Sequence, residues 1–352
     1  MSDRRRWTDR PLVQLTRVRY REFFREPEAV FWVFIFPVLL AAGLGIAFRN
    51  RAPERTGVAV VAMNTGTAGL ADALRGVGDL EVSLLSDSAA AEALRTGEVA
   101  LVAAPLAGGR VEYRYDDTRP ESRIARLAVG DALQRAAGRR DPVPVSDRLV
   151  HERGSRYIDF LVPGLLGMNL MGSGIWGVGF AIVDARKKRL LKRLIATPMS
   201  RPQFLASFVL SRLTLLVIEV GLLLGFGALV FGVPLRGSLA VLVTICLVSS
   251  LAFTSLGLLV ASRVQTMEGA SGLMNLVMLP MWIFSGVFFS ASRFPDSLQP
   301  FIQALPLTAV VDALRANILR GAGWGTIAPE IAIIMAWLGV SFFLALKLFR
   351  WR

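Results

Sequence analysis

Two ionisable residues sit inside an otherwise apolar run, and they are the chain's strongest pointers to chemistry. Arg212 and Glu219 both fall within the stretch from Gln203 to Phe231. An ionisable side chain in hydrocarbon costs at least about 2.5–3.5 kcal/mol on insertion scales. A residue kept at that cost faces protein, lines a watery path, or escapes to the surface. Read as one helix, the stretch puts Arg212 about 13 Å beyond Gln203, so its long side chain is expected to snorkel to the inner headgroups. Glu219 lies roughly 10 Å deeper on nearly the same face. Its shorter side chain has no such exit and is expected to face protein or a transport path, with Asn169 and Asn275 as further polar candidates along it.

The remaining arrangements have plainer readings. Gly172, Gly174 and Gly177 form a GxGxxG, but no strand precedes it and apolar residues surround it, so helix packing explains it better than a dinucleotide. The sequence contains no GxxxxGK[ST], and hence no phosphate-binding loop of that kind. His151 is the one histidine, which excludes an HExxH zinc site, and its loop setting reads as solvated. Asp116 and Asp117 read as an acidic turn after a strand rather than a paired-carboxylate site. The single cysteine, Cys246, lies in an apolar run, so one chain can build neither a disulfide nor a cysteine-based metal site. No metal or cofactor is expected on this chain.

The elements that must position these residues follow from composition. With 53% hydrophobic residues and a mean hydropathy of +0.51, the 352-residue chain is too apolar for an ordinary soluble protein, yet 19% of it is charged. The net charge of +13 raises the question of nucleic acid. About half of the basic residues flank apolar runs, which membrane orientation explains better, and no nucleic-acid partner is expected.

The expected fold is a polytopic α-helical membrane protein of six transmembrane helices, with a small α/β extracytoplasmic domain inserted after the first. Residues 1–28 carry an amphipathic cytoplasmic helix, grouping Leu12, Val13, Thr16, Tyr20, Phe23 and Phe24 against Gln14, Arg17, Arg21 and Arg25. Residues 29–48 form the first span, an uncleaved anchor with its cytoplasmic end first. In residues 49–157 the apolar runs become too short to cross a bilayer. Gly57–Met63, Leu80–Leu85, Val99–Ala104 and Arg110–Tyr115 read as strands there, and Ala68–Arg75, Ala89–Arg95 and Arg119–Ala137 as helices. The last of these offers Ile124, Leu127, Ala128 and Leu133 for burial. Further spans are expected at 158–183, 203–232, 238–261, 269–291 and 326–346, with a helical hairpin at the outer surface over 292–325 and a cytoplasmic tail at 347–352.

Between the second and third spans, residues 184–202 hold the densest basic connection, with Arg186, Lys187, Lys188, Arg189, Lys192, Arg193 and Arg201. As a helix it groups Leu190, Leu191, Leu194 and Ile195 on one face. Pro198 disfavours helix at Thr197 and breaks the run, and Ser200 with Gln203 reads as a capping box that opens the next helix. The shape is a lever able to transmit force from the cytoplasm. Eight arginines precede the first span, seven basic residues fill this connection and three close the chain. Both termini and the lever are therefore expected inside.

Two stretches resemble the permease of a bacterial ABC-2-type (type V, exporter) ABC transporter. They are KRLLKRLIATPMSRPQFLASFVLSRL at 188–213, with Thr197, Pro198, Ser200 and Arg201, and the segment 284–321, with Ser285, Gly286, Leu305, Pro306, Leu307, Ala313, Leu314, Arg315 and Gly321. Many members carry Gly-Thr-Leu-Glu in the lever where this chain has Arg189, Leu190, Leu191 and Lys192.

The resemblance implies a connecting helix with Tyr20, Phe23 and Phe24, and a coupling helix docking on a separate ABC ATPase subunit. Arg189, Leu190, Leu191, Arg193, Leu194, Ile195, Thr197 and Pro198 would make that contact. It further implies a second permease copy, the same or different, and leaves room for a periplasmic adaptor. ATP and its magnesium would sit on the ATPase. The chain would lie in the bacterial inner membrane and move an amphiphilic drug, antibiotic or lipid-like cargo. The main alternative is a membrane-anchored receptor or structural protein whose outside domain binds a ligand or partner. A membrane enzyme ranks third, for want of histidine, cysteine and converging carboxylates.

Overall fold

The computed structural model describes residues 11–48, 55–62, 67–106, 109–140, 146, 154, 156–187 and 201–348. It divides into two compact units, residues 50–150 and residues 1–49 with 151–352.

In the smaller unit, β1 (Thr56–Val61), α3 (Thr67–Arg75), β2 (Leu80–Leu85), α4 (Asp87–Thr96), β3 (Leu101–Leu106), β4 (Arg110–Arg114) and α5 (Pro120–Ala136) follow in order. The sheet order is β2-β1-β3-β4, with β1 parallel to both β2 and β3 and β4 antiparallel to β3. β1 reads as a continuous apolar run because both its faces are covered. Val58 and Val60 pack with Leu74, Leu101, Ala125 and Val129 on one side, and Ala59 and Val61 with Ala90, Ala93 and Val102 on the other.

The helix α5 corrects one expectation. Ala128 and Leu133 pack half-buried against the core as expected, but Ile124 and Leu127 are 62% and 68% exposed, and the buried face is Ser122, Ala125, Val129 and Ala132. Small residues let the helix lie close on the sheet, which turns the larger ones outward. Asp116 ends the sheet region in a turn, its carboxylate accepting from the Thr118 backbone N–H at 2.9 Å and from its hydroxyl.

The larger unit comprises α1 (Pro11–Arg25), α2 (Pro27–Ala47), α6 (Tyr157–Lys187), α7 (Arg201–Phe231), α8 (Leu239–Ala261), α9 (Met267–Phe284), α10 (Gln299–Ala304), α11 (Pro306–Arg320) and α12 (Trp324–Leu348). Five of its helices are long and apolar enough to cross a membrane: Pro27–Ala47, Tyr157–Asp184, Leu210–Phe231, Leu239–Ala261 and Trp324–Leu348. The chain is thus a polytopic helical membrane protein. The segment Asp296–Ala304 and α11 meet at 85°, and count as a sixth only if the bent pair is one span.

The segment 269–291, expected as a span, is helical only to Phe284. Its helix α9 has 18 residues, about 27 Å at 1.5 Å per residue, a little short of a ~30 Å hydrocarbon core. Gly286 then takes a left-handed φ of 74°, a conformation that stops a helix and that side chains with a Cβ resist.

Glycines in α6 set how closely the helices approach. A Cβ on Gly174 would lie 2.7 Å from the Phe253 Cβ, one on Gly257 of α8 would lie 2.7 Å from the Ile175 carbonyl oxygen, and one on Gly179 would overlap Met274. Gly172 and Gly177, by contrast, have open space around them. The GxGxxG spacing is therefore only partly a packing device, and Gly174 carries it.

Candidate functional site

The site begins at a proline. Pro37 in α2 has no N–H to give to the carbonyl four residues back, Val33, and the turn before it widens into a π-helix over Phe31–Ile35. The freed Val33 carbonyl is met by the Asn169 side-chain amide from α6 at 3.0 Å. One turn further along α6, Ser173 donates to the Asn169 backbone carbonyl at 2.6 Å and receives a hydrogen bond from Arg212 Nη2 at 2.5 Å.

The guanidinium and carboxylate of α7 meet at this serine. Arg212 Nη1 lies 3.2 Å from Glu219 Oε1 and Nη2 lies 3.1 Å from Oε2, a bidentate pair. Arg212 Nε reaches the Ser250 hydroxyl of α8 at 3.3 Å. The Glu219 side chain is fully buried and that of Arg212 is 11% exposed.

The expectation that Arg212 snorkels to the headgroups is therefore corrected. The residues are seven apart, about 10.5 Å of helix rise. The Glu219 Cβ leans back toward the N-terminal end of α7 and the Arg212 side chain extends forward to meet it. Two charge-assisted bonds plus two serine oxygens satisfy the guanidinium where it is. By residue count Glu219 lies about 14 Å into a 22-residue span some 33 Å long, near its middle. One polar chain thus crosses four spanning helices, from α2 through α6 and α7 to α8.

The other candidate residues are distributed elsewhere. Asn275 is exposed on α9 and takes no part in this chain. In α1, Tyr20 and Phe23 are half-buried and Phe24 is 55% exposed. Phe23 meets Phe34 of α2 edge-on at 5.8 Å, and α1 packs along α7. Arg189, Leu190, Leu191, Arg193, Leu194, Ile195, Thr197 and Pro198 lie outside the described residues, as does His151.

A family model described as ABC-2 family transporter protein matches residues 28–347. The chain belongs to the ABC-2 transporter family. Similar ABC-2-type relatives include the inner membrane transport permease YhhJ of Escherichia coli K12, 27% identical over 49% of this chain and 46% of the relative. The linearmycin resistance permease protein LnrN of Bacillus subtilis 168 is 28% identical over 49% of this chain and 45% of its own length. Nodulation protein J of Bradyrhizobium diazoefficiens is 29% identical over 56% of this chain and 76% of its own. The chain thus spans a little under half the length of the first two.

Within this ABC-2 family chain, several polar residues were not singled out from sequence. Ser173 and Ser250 complete the ion pair; the available signal was a serine four residues after Asn169, on the same helix face. Arg315, quoted above only as part of a motif, gathers the carbonyls of Gly286 at 2.6 Å and Phe160 at 3.2 Å, and stacks 3.4 Å from the Phe160 ring centroid. It holds α11, α6 and the turn after α9 together. Asp159, fully buried, accepts from the backbone N–H groups of Gly154 and Arg156 at the start of α6 and pairs with the Arg156 guanidinium at 2.8 Å. The hydrogen bond that its guanidinium donates to Asp159 raises Arg156 above its ordinary pKa.

Proposed function

We propose that this protein is the permease subunit of an ATP-driven exporter, carrying an amphiphilic compound across the bacterial inner membrane. In this reading residues 49–157 lie outside, both termini and residues 184–202 lie in the cytoplasm, and a separate ABC ATPase with its ATP and magnesium docks on the lever. A second permease copy completes the path.

The observation that carries the reading is the buried Arg212–Glu219 pair at mid-span in a chain of this family. Apolar residues of similar volume are often as stable as a buried ion pair, or more so, and we therefore assign the pair a role beyond stability. The pair bridges helices on either side of the lever, α6 and α7, and reaches α8 through Ser250. Movement of the lever shifts α6 against α7, and the pair holds one arrangement until ATP-driven force breaks it. A ligand or nucleotide can bias two such states only by the difference in its binding to each. The mostly apolar surroundings favour an amphiphilic cargo over a small ion.

The test is to purify the protein with its ATPase and follow substrate-stimulated hydrolysis in vesicles. Leu191→Asp or Leu194→Asp places a charge where burial is expected, costing several kcal/mol unless the helix undocks. Each variant is expected to insert normally and lose ATPase association. Normal association in both would show that the lever is a topology signal alone, and would move the receptor reading ahead.

A further inference from the structure

Arg186 sits near the cytoplasm-directed end of α6, at the start of the basic connection 184–202 and ahead of the residues expected to touch the ATPase. Its Nη1 donates to the Val264 carbonyl at 2.7 Å and the Ala261 carbonyl at 3.0 Å, and Nη2 lies 3.4 Å from the Ser262 carbonyl. These oxygens belong to the end of α8 and the turn into α9. The last four carbonyls of a helix have no partner within it and carry the negative end of its dipole. A glycine cap or the chain's own N–H groups ordinarily serve them. Here a guanidinium from another helix does so, and its planar fork reaches several oxygens at once.

The placement ties three elements together at one point. α6 and α8 already run in close contact through Gly174 and Gly257, where an added Cβ would strike the other helix. Residues 262–266 are all that separate α8 from α9, and Thr266 caps α9 by accepting from the Gly269 N–H at 3.1 Å. Burial lowers the Arg186 guanidinium from its ordinary pKa, while leaving it a cation at neutral pH. α6 ends at Lys187, one residue beyond.

We propose that Arg186 is a positioning residue which carries the lever's movement to the α8–α9 turn, and through it to α9. This rests on the exporter reading above. Without the clasp, a push on the lever reaches α9 only through side-chain contacts with α6, such as Met274 against Gly179 and Met278 against Trp176. α9 presents Asn275 on its exposed face, so the clasp would set when that face moves relative to the Arg212–Glu219 pair.

The experiment uses the full chain with its ATPase, in vesicles, on a Cys246→Ala background. Spin labels at Lys187 and Arg263 report the distance between the lever's root and the turn, with and without a non-hydrolysable ATP analogue; hydrolysis and transport are followed in unlabelled protein. In the parent the two labels are expected to keep a fixed separation in both states. Arg186→Gln is expected to retain ATPase association and basal hydrolysis, to broaden that distance on nucleotide binding, and to lose at least tenfold in substrate stimulation. Arg186→Lys, which keeps the charge but not the fork, is expected to recover part of the stimulation, a pattern that mere loss of packing would not give. Arg186→Gln with the parent's distances and stimulation overturns the clasp and leaves the exporter reading standing. A parent that neither binds the ATPase nor responds to nucleotide overturns both.

Discussion

Breaking the Arg212–Glu219 pair one residue at a time, and then both together, separates a structural role from a switching one. The Glu219 side chain has no exposed surface and that of Arg212 only 11%, so removing either partner strands the other in a dry setting. The expected loss is about 3–5 kcal/mol for a single variant, or two to three and a half decades in the folded ratio at about 1.4 kcal/mol per tenfold. The two losses should differ. In Arg212→Met the Glu219 carboxylate keeps, among the described residues, only the Ser173 hydroxyl, 3.3 Å away, and cannot reach solvent, so this variant should sit at the upper end. In Glu219→Leu the long arginine can swing toward the headgroups, so this one should sit lower. The double variant, Arg212→Met with Glu219→Leu, leaves no stranded charge and should come within about 1 kcal/mol of the parent or exceed it. Unfolding equilibria in bicelles give the three differences, and vesicle transport with the ATPase gives the activity. The expected result is a stable double variant that does not transport. Parent-like transport by that variant would refute the switching role, and single variants as stable as the parent would refute the pair's burial.

Asn169→Leu should cost about 1–3 kcal/mol by leaving the Val33 carbonyl without a partner beside Pro37, and the loss should largely vanish in a Pro37→Ala background; thermal unfolding in detergent reads both. Gly257→Val should lower stability by about 1–3 kcal/mol, since its Cβ would meet the Ile175 carbonyl oxygen at 2.7 Å, whereas Gly172→Ala, with open space around it, should change little. On a Cys246→Ala background, single cysteines at Ser88 and Ser297 should label from outside intact cells and one at Ala185 only after permeabilisation; the reverse pattern would invert the proposed topology.

Much of the fold was legible because it rests on periodicity and run length. Long apolar runs marked the spans, and short apolar runs separated by turn residues marked the β2-β1-β3-β4 unit. Two features escaped. The exposure of Ile124 and Leu127 turns on how close α5 lies to its sheet, which favours the small residues Ser122, Ala125 and Ala132 over larger apolar ones. The end of α9 at Phe284 turns on the backbone conformation of Gly286, and hydropathy does not register one left-handed residue.

The candidate site shows where sequence reasoning meets its physical limit. That a carboxylate within Gln203–Phe231 must be satisfied follows from the cost of charge in hydrocarbon. Which group satisfies it does not follow, because Arg212 has two exits of comparable length, back to the headgroups or forward to Glu219. The choice is made by residues far off in sequence. Ser173 and Ser250, from α6 and α8, supply the oxygens that make the inward exit the better one, and their positions depend on the close α6–α8 seam at Gly174 and Gly257. The same seam ends in the Arg186 contact with the α8–α9 turn. A displacement that loosens the packing of α6 against α7 therefore weakens the inward exit of Arg212 while Arg186 still holds the turn. In the exporter reading, that ordering would make the charge pair yield before the clasp.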